Sequence, residues 1–358
     1  MHMKLKKSPV GKQIDYSGLT SSVDRSAIHD FMEQNGGVKM HNVFDVSGKI
    51  VGAFLILWGI VAMVMGVILS EASEILGGIL PIVMGVLFFA AVPLFNQLYV
   101  ASVRISRFAR DNDWLYQFQL HNPSHSGIIF NVGHSRVAKD IIYLNGDDET
   151  AAFEVGSYQY TTGSGKSRQT HNWIYCCVEM DRRMPHMLLD AKANNTNLFG
   201  KSLASNLPVS LRKDQVLSLE GDFDKYFTLY APKDYERDAL YIFTPDLMTL
   251  LIDNAHSFDA EVVDNRLYIY IRQQGKNTSM TQPHFIYQLL SIIHVVGMKL
   301  HRQSDYYADE FVGDRSIDIV ATGGRRLRRG INWVTAAIII VVLLFQFWSI
   351  FLDLTGSR

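Results

Sequence analysis

Thr161 to Trp173 reads TTGSGKSRQTHNW, and its Gly-Ser-Gly-Lys-Ser core has the residue types that cradle phosphate in nucleotide hydrolases. That chemistry needs a glycine ahead of Gly165-Lys166-Ser167 with four residues between, and a helix after it whose amides complete the cradle. The position that should be glycine is Tyr160, and the β-branched and aromatic alternation after Ser167 reads as a strand. The stretch is therefore expected to be a β-hairpin with a Gly/Ser tip, and no nucleotide is expected at Gly163–Ser167. Its basic side chains, Lys166 and Arg168, make a solvated or anion-contacting loop.

Twelve histidines invite a search for metal ligands. His121 and His125 are separated by Pro123, which breaks the helix that would bring them onto one face, and His294 and His301 have no acidic or thiol companion nearby in sequence. Cys176 and Cys177 are adjacent, so on a strand they point to opposite faces and cannot share a metal. The carboxylates between Glu220 and Asp224 lack the alternate-position ligands of a calcium loop. No Gly-x-Ser-x-Gly elbow or His-Glu-x-x-His pair occurs. No catalytic residue, metal site or cofactor is expected.

The elements that would position any site are clearer. With 34 basic and 35 acidic residues the chain lacks the basic excess of a nucleic-acid binder, and none is expected as partner. Three blocks carry no charge: Ile50–Leu69, Ile75–Val103 and Ile331–Leu352. Each is long enough to cross a hydrocarbon core as a helix, and Trp333 and Trp348 flank the third as interfacial aromatics do. The first block follows a long polar segment, so it does not read as a cleaved signal peptide. Ser70–Glu74 between the first two is a tight acidic turn, which makes them a hairpin.

Basic residues set the orientation. Lys4, Lys6, Lys7, Lys12, Lys39 and Lys49 precede the first span, Arg104, Arg107 and Arg110 follow the second, and Arg325, Arg326, Arg328 and Arg329 precede the third. The expected organisation is a cytoplasmic tail (1–48), a membrane hairpin (49–103, spans 50–69 and 75–100), and a cytoplasmic domain (104–302). A linker (303–329), a third span (330–352) and an extracytoplasmic tail (353–358) complete it. The seven juxtamembrane arginines are candidate contacts for anionic lipid headgroups. Gly52, Gly59 and Gly66 recur every seven residues and predict close helix packing, within the hairpin or between protomers.

The domain reads as α+β, rich in antiparallel strands, with two main helices. Strands are expected at GIIFNV, KDIIYLN, AAFEVGSYQY, HNWIYCCVEM, Met187–Leu189 and on either side of Glu220–Lys225. Thr244-Pro245-Asp246 starts one helix and Thr281 with Pro283 the other, the latter burying Phe285, Leu289, Ile292, Val296 and Leu300. AEVVDNRLYIYI reads as a hairpin turning at Asp264 and Asn265, a second candidate contact loop.

RFARDNDWLYQF, NWIYCCVEM with MPHMLLDA, and LEGDFDKYFTLYAPKDYERDALYIFTPDLMTLLID resemble an uncharacterised family of bacterial membrane proteins with an N-terminal membrane hairpin and a cytoplasmic domain of unknown function. The resemblance covers Phe108 to Ile271. It implies a multi-pass protein of the bacterial plasma membrane and brings no catalytic residues. The function expected is a membrane-anchored, non-enzymatic binding or scaffold module that meets the lipid bilayer and a membrane or cytoplasmic protein, or itself. An enzyme or binder acting on anionic lipid or envelope precursors at the inner leaflet is the alternative, and a subunit of an oligomeric channel or transporter is a further one.

Overall fold

The computed structural model describes residues 13–35, 38–70, 72–146, 151–198, 201–273, 275, 278–314, 316–330 and 340–348. Lys4, Lys6, Lys7, Lys12, Trp333 and the tail 353–358 lie outside them. The chain divides into two compact units: a helical one formed chiefly by Ile14–Phe118, and a sheet-based one formed chiefly by Gln119–Met280 and the residues from His284 onward.

In the helical unit, α1 (Ser17–Thr20) and α2 (Arg25–Gln34) precede two long helices, α3 (Val38–Leu69) and α4 (Ala72–Asp111). Among the described residues one helix is long and apolar enough to cross a membrane, Val46–Leu69 within α3, while α4 holds a shorter apolar stretch, Leu76–Ala90. α4 runs unbroken through Pro81 and Pro93. Only residues 340–348 of the third apolar block are described; they are helical, with Ile340, Phe345 and Trp348 exposed.

Within the segment expected as an N-terminal tail, α1 and α2 are folded. Asp24 caps α2 by accepting from the Ala27 amide, and Ile28, Phe31 and Met32 bury against Val103 with Tyr99, Tyr116 and Phe118 around them. Gly18 sits against the α4 backbone so closely that a Cβ would stand 2.6 Å from the Phe108 nitrogen.

The strand β1 (Leu115–His121) carries the chain into the sheet unit. There β2 (His134–Leu144), β3 (Phe153–Thr162) and β4 (Gln169–Ala191) pair antiparallel in turn. After a small ribbon, β5 (Thr196–Leu198) and β6 (Lys201–Ala204), come β7 (Val216–Leu217), a turn of helix α5 (Phe223–Tyr226) and β8 (Phe227–Tyr230), with β8 pairing both β7 and the end of β4. Helices α6 (Glu236–Ile242) and α7 (Pro245–Ala255) lead into β9 (Asp259–Arg272), which pairs along β4. The α+β class with a large antiparallel sheet is thus present. Pro245 opens α7 at its first turn, but the Thr244 side chain makes no cap hydrogen bond. The last helix is two, α8 (Pro283–Ile292) and α9 (Met298–Ser304), joined by a π turn whose Gly297 lies close over Val178 of β4. Phe285, Leu289, Ile292, Val296 and Leu300 are all buried.

Two expected strands are different elements. Gly127–Val132 is a turn that inserts Ile129 and Phe130 into the core, where Phe130 meets Tyr158 at 4.5 Å and Tyr175 at 5.0 Å between ring centroids. Asp264-Asn265 is no hairpin turn, because β9 continues straight through it to Arg272. The segment expected as a linker is fixed to the sheet unit. Asp309 accepts from the Tyr235 hydroxyl and the Ala321 amide, and Asp238 accepts from the Tyr307 hydroxyl.

Candidate functional site

The long strands β4 and β9 are rich in buried apolar residues, and their pairing slips where the charged run Glu179–Arg183 faces Asp264 and Arg266. Register shifts fall between Glu179 and Met184 and between Met184 and Met187, and Asp264, opposite Met184, takes a left-handed backbone at φ 56°. Bulges of this kind re-aim side chains out of the pleat. Here they open two hollows that share Arg183, Asp264 and Arg326. One of about 380 Å³ adds Arg325 over Met184 and Val320, and the other of about 400 Å³ adds Arg266, Ser124 and Ser126. The lining therefore sets four guanidinium groups, Arg183, Arg266, Arg325 and Arg326, against the one carboxylate of Asp264.

Arg326 holds that carboxylate in a two-pronged pair, Nη1 to Oδ1 and Nη2 to Oδ2, both 2.9 Å. Burial favours the neutral acid of Asp264, but the bonds and charge of Arg326, with Ser126 and Arg183 adding, hold it below the usual carboxylate range. A group depressed in this way contributes stability above its unfolded pKa of about 3.9 and loses it as pH falls through the folded value. Asp264→Asn is accordingly expected to lower the denaturation midpoint at pH 6, with the gap to the wild type closing as pH falls below the ordinary carboxylate range. An equal gap below that range would show that the pair contributes nothing.

The strap that brings Arg325 and Arg326 to the cleft is anchored residue by residue. Its Leu327 is buried and donates its amide to Nδ1 of His186 at 3.0 Å; Nε2 of His186 donates to Glu261 at 2.7 Å. Glu261, wholly buried, also accepts from the Ile128 amide and the Tyr270 hydroxyl, both at 2.7 Å. Gln215 brackets Arg328 by bonding its amide and its carbonyl, and Leu211 bridges Arg329. Arg325 spends Nε on the Val320 carbonyl at 2.6 Å and leaves its remaining donors toward the hollow.

Behind Arg266 lies a polar relay. Nη1 of Arg266 approaches Nδ1 of His125 at 3.3 Å, Nε2 of His125 stands 2.9 Å from Glu154, and the Tyr175 hydroxyl donates to Glu154 at 2.5 Å. Burial opposes ionisation of Glu154, but His125, Tyr175 and Arg266 outweigh it and keep the carboxyl low. Nδ1 of His125 faces Arg266, while its buried Nε2 lies beside Glu154 without hydrogen-bond geometry, so the ring stands between the guanidinium and the carboxylate. Cys177 is pushed up to about 12 by burial and the nearby Glu154, and Cys176 is likewise raised by burial, so both remain thiols without nucleophilic character.

The sequence candidates are dispersed. Arg104 donates Nε to the Ser21 carbonyl at 3.1 Å, and Arg107 donates Nη1 to Ser21 Oγ and the Ser22 carbonyl, so both secure the α1–α2 connection. Arg110 is exposed beside Asp111. Arg325 and Arg326 join Asp264 and Asn265 in the cleft, while Arg328 and Arg329 are bound through their backbones and keep exposed side chains. Lys166 and Arg168 are exposed on the β3–β4 hairpin, whose Thr162↔Gln169 pairing places a strand, not a helix, after the tip. The tip is closed by the Ser164 and Ser167 capping box and by His134 Nε2 at 3.0 Å from the Gly163 carbonyl. Gly52, Gly59 and Gly66 are buried on α3, and at two of them the approach of α4 is measured: a Cβ on Gly59 would lie 2.5 Å from the Gly78 carbonyl, and one on Gly52 3.0 Å from the Gly85 carbonyl. His294 and His301 do not meet; His301 faces Asp181 at 3.4 Å instead. Arg183 and Arg266 escaped the sequence reading, and their signal was a guanidinium inside each of two long strands rich in buried apolar residues.

No family model matches this chain, and no curated protein does. Among solved structures it is similar to the crystal structure of the mycobacterial trehalose monomycolate transport factor A, TtfA, at 11% identity and a TM-score of 0.34 over 55% of this chain and 93% of that one. A likeness at that level carries no argument about fold or function.

Proposed function

We propose that this chain is a membrane-anchored binding module, not an enzyme, whose sheet unit takes an anionic group in the cleft of Arg183, Arg266, Arg325 and Arg326. The observation that carries the reading is the excess of guanidinium over carboxylate in two hollows that share their central residues, three arginines to one carboxylate in each. Arginine forks match phosphate and carboxylate oxygens in pairs, and serine hydroxyls such as those of Ser124 and Ser126 add adaptable donors. The one carboxylate is spent on Arg326, and His125 stands behind Arg266, between it and Glu154, so neither is offered to the hollows as a free base.

In this reading the three apolar blocks are membrane spans, the sheet unit faces the cytoplasm of a bacterium, and the chain is kin to the hairpin-bearing family it resembles. The basic flanks of all three blocks support that orientation. Arg325 and Arg326 stand a few residues ahead of the block beginning at Ile331, so an anionic lipid headgroup or a soluble anion close to the bilayer is the natural ligand.

The test is capture of the full chain from its native membrane in mild detergent, with the retained lipids and proteins identified. An anionic species is expected at roughly tenfold higher occupancy on the wild type than on Arg183→Ala/Arg325→Ala. Equal retention by the two would remove the cleft from the function.

A further inference from the structure

The opposite end of β4 and β9 holds a second polar cluster that the arginine cleft does not use. Leu189 pairs with Ala260, so the next residues, Asp190 and Asp259, stand across from each other on the same face of the sheet. Both are buried, Asp190 at 4% exposure and Asp259 at 0%. Like charges directly opposite on neighbouring strands repel, and two buried carboxylates without a cation are costly.

Their surroundings are mostly neutral polar groups, with the cation Lys192 acting on Asp190. Asp259 accepts the Ala191 amide on Oδ1 at 2.9 Å, whereas its Oδ2 has no hydrogen-bond partner although fully buried. The side chains of Asn194 and Asn206 lie close enough to its carboxyl to favour the ionised form as donors, though neither meets Oδ2 in hydrogen-bond geometry, and each would turn its amide to offer oxygen to an ion. Asn194 donates Nδ2 to the Ser257 carbonyl at 3.2 Å, which leaves its Oδ1 buried and unpartnered, and neither amide atom of Asn206 is partnered. Asn195 binds Asp190 Oδ1 through Nδ2 at 3.0 Å and accepts the Asn206 amide at 2.8 Å, so it fixes the loop around the pair. The cation nearest Asp190, Lys192, gives its Nζ to the Asp224 carbonyl. Asn194, Asn195, Asn206 and Ser257 also line a hollow of about 400 Å³ that offers a path in. Arg272 lines that hollow too, which sets an ion's place at the carboxylates and not in the hollow.

We infer that Asp190, Asp259, Asn194 and Asn206 form a binding site for a hard divalent cation, of the calcium kind. Four protein oxygens, two of them anionic, balance the charge of such an ion, and amide oxygens with water complete its shell in the irregular geometry calcium tolerates. The ion would satisfy the orphaned Oδ2 and both amide oxygens at once.

The experiment uses the full chain in detergent, stripped with EDTA, and follows thermal unfolding and calorimetric titration with CaCl₂ and with MgCl₂. The expected result is saturable one-to-one binding of at least one ion, with a rise in unfolding temperature that tracks it. Asp259→Asn keeps the volume and removes a charge; it should weaken binding roughly tenfold or more and leave an unfolding temperature insensitive to the ion. Asp181→Asn, at the exposed Asp181–His301–Asp305 group, should leave the response unchanged and so serves as the control. Absence of saturable binding of either ion to the wild type at millimolar concentration overturns the site, whatever the variants do. A response that survives in Asp259→Asn or disappears in Asp181→Asn overturns it equally. If Asp259→Asn does not fold, Asp190→Asn takes its place.

Discussion

Replacing Glu261 by Ala is expected to destabilise the sheet unit by on the order of 3–5 kcal/mol, the range for breaking a buried charged network by removing one partner. The carboxylate collects the Ile128 amide, the Tyr270 hydroxyl and His186 Nε2 in a wholly buried place. Its loss strands three donors, each costing about 1–3 kcal/mol when unsatisfied, partly relieved by any water that enters the gap. The same change frees His186, on which the Leu327 amide depends, so the Arg325–Arg326 strap should loosen with it. Glu261→Gln should lose much of the same stability, because its amide nitrogen would face donors with a donor. Denaturant unfolding of the full chain reads the size of the effect, and hydrogen exchange at Leu327 reads the strap. A Glu261→Ala midpoint equal to wild type would refute the network's role.

Gly59→Leu is expected to separate the two long helices of the hairpin. The approach is reciprocal: a Cβ on Gly59 would sit 2.5 Å from the Gly78 carbonyl, and one on Gly78 2.5 Å from the Gly59 carbonyl. Real Cβ atoms do not come that near backbone oxygen, so the helices must move apart or slide. The Gly52–Gly85 pair, where a Cβ on Gly85 would be 2.6 Å from the Gly52 carbonyl, repeats the geometry two turns away. Close backbone approach of this kind is what glycine permits in apolar helix pairs, where packing has little solvent-driven help. Spin labels on the exposed Leu57 and Leu80 should report a longer distance in Gly59→Leu and a smaller increase in Gly59→Ala. An unchanged distance in Gly59→Leu would mean that the glycine approach does not set the packing.

Local patterns account for what could be read before the structure. The β3–β4 hairpin was legible because alternation resumes on both sides of a glycine-rich tip, and the apolar length of α3 was legible as an uninterrupted run. Asp264-Asn265 misled because Asp-Asn between alternating apolar stretches has the residue types of a two-residue turn. The left-handed Asp264 is instead absorbed as a bulge, made possible by the neighbouring strand β4. Gly127–Val132 misled because a short apolar run cannot be told from a core-inserting turn by periodicity alone.

The site was harder to see for a different reason. Arg104 and Arg107 read as headgroup contacts from their place beside an apolar block, but their partners, Ser21 and Ser22, lie more than eighty residues earlier in the chain. Arg183 and Arg266 become a site only through the β4–β9 pairing, and the strap adds Arg325 and Arg326 from a segment without regular structure. Charged residues inside apolar strands, Arg183, His186, Asp190, Asp259, Glu261 and Arg266, were the available signal. Each marks a place where the sheet is spent on something besides its core.

The most direct measurement of the central claim is calorimetric titration of the full chain in neutral detergent with pyrophosphate, an anion with paired phosphate oxygens. Saturable one-to-one binding that weakens with added salt, and at least about tenfold in Arg183→Ala/Arg325→Ala, is the expected result. Undetectable binding to the wild type, or the same affinity in the double variant, would contradict an anion-binding cleft.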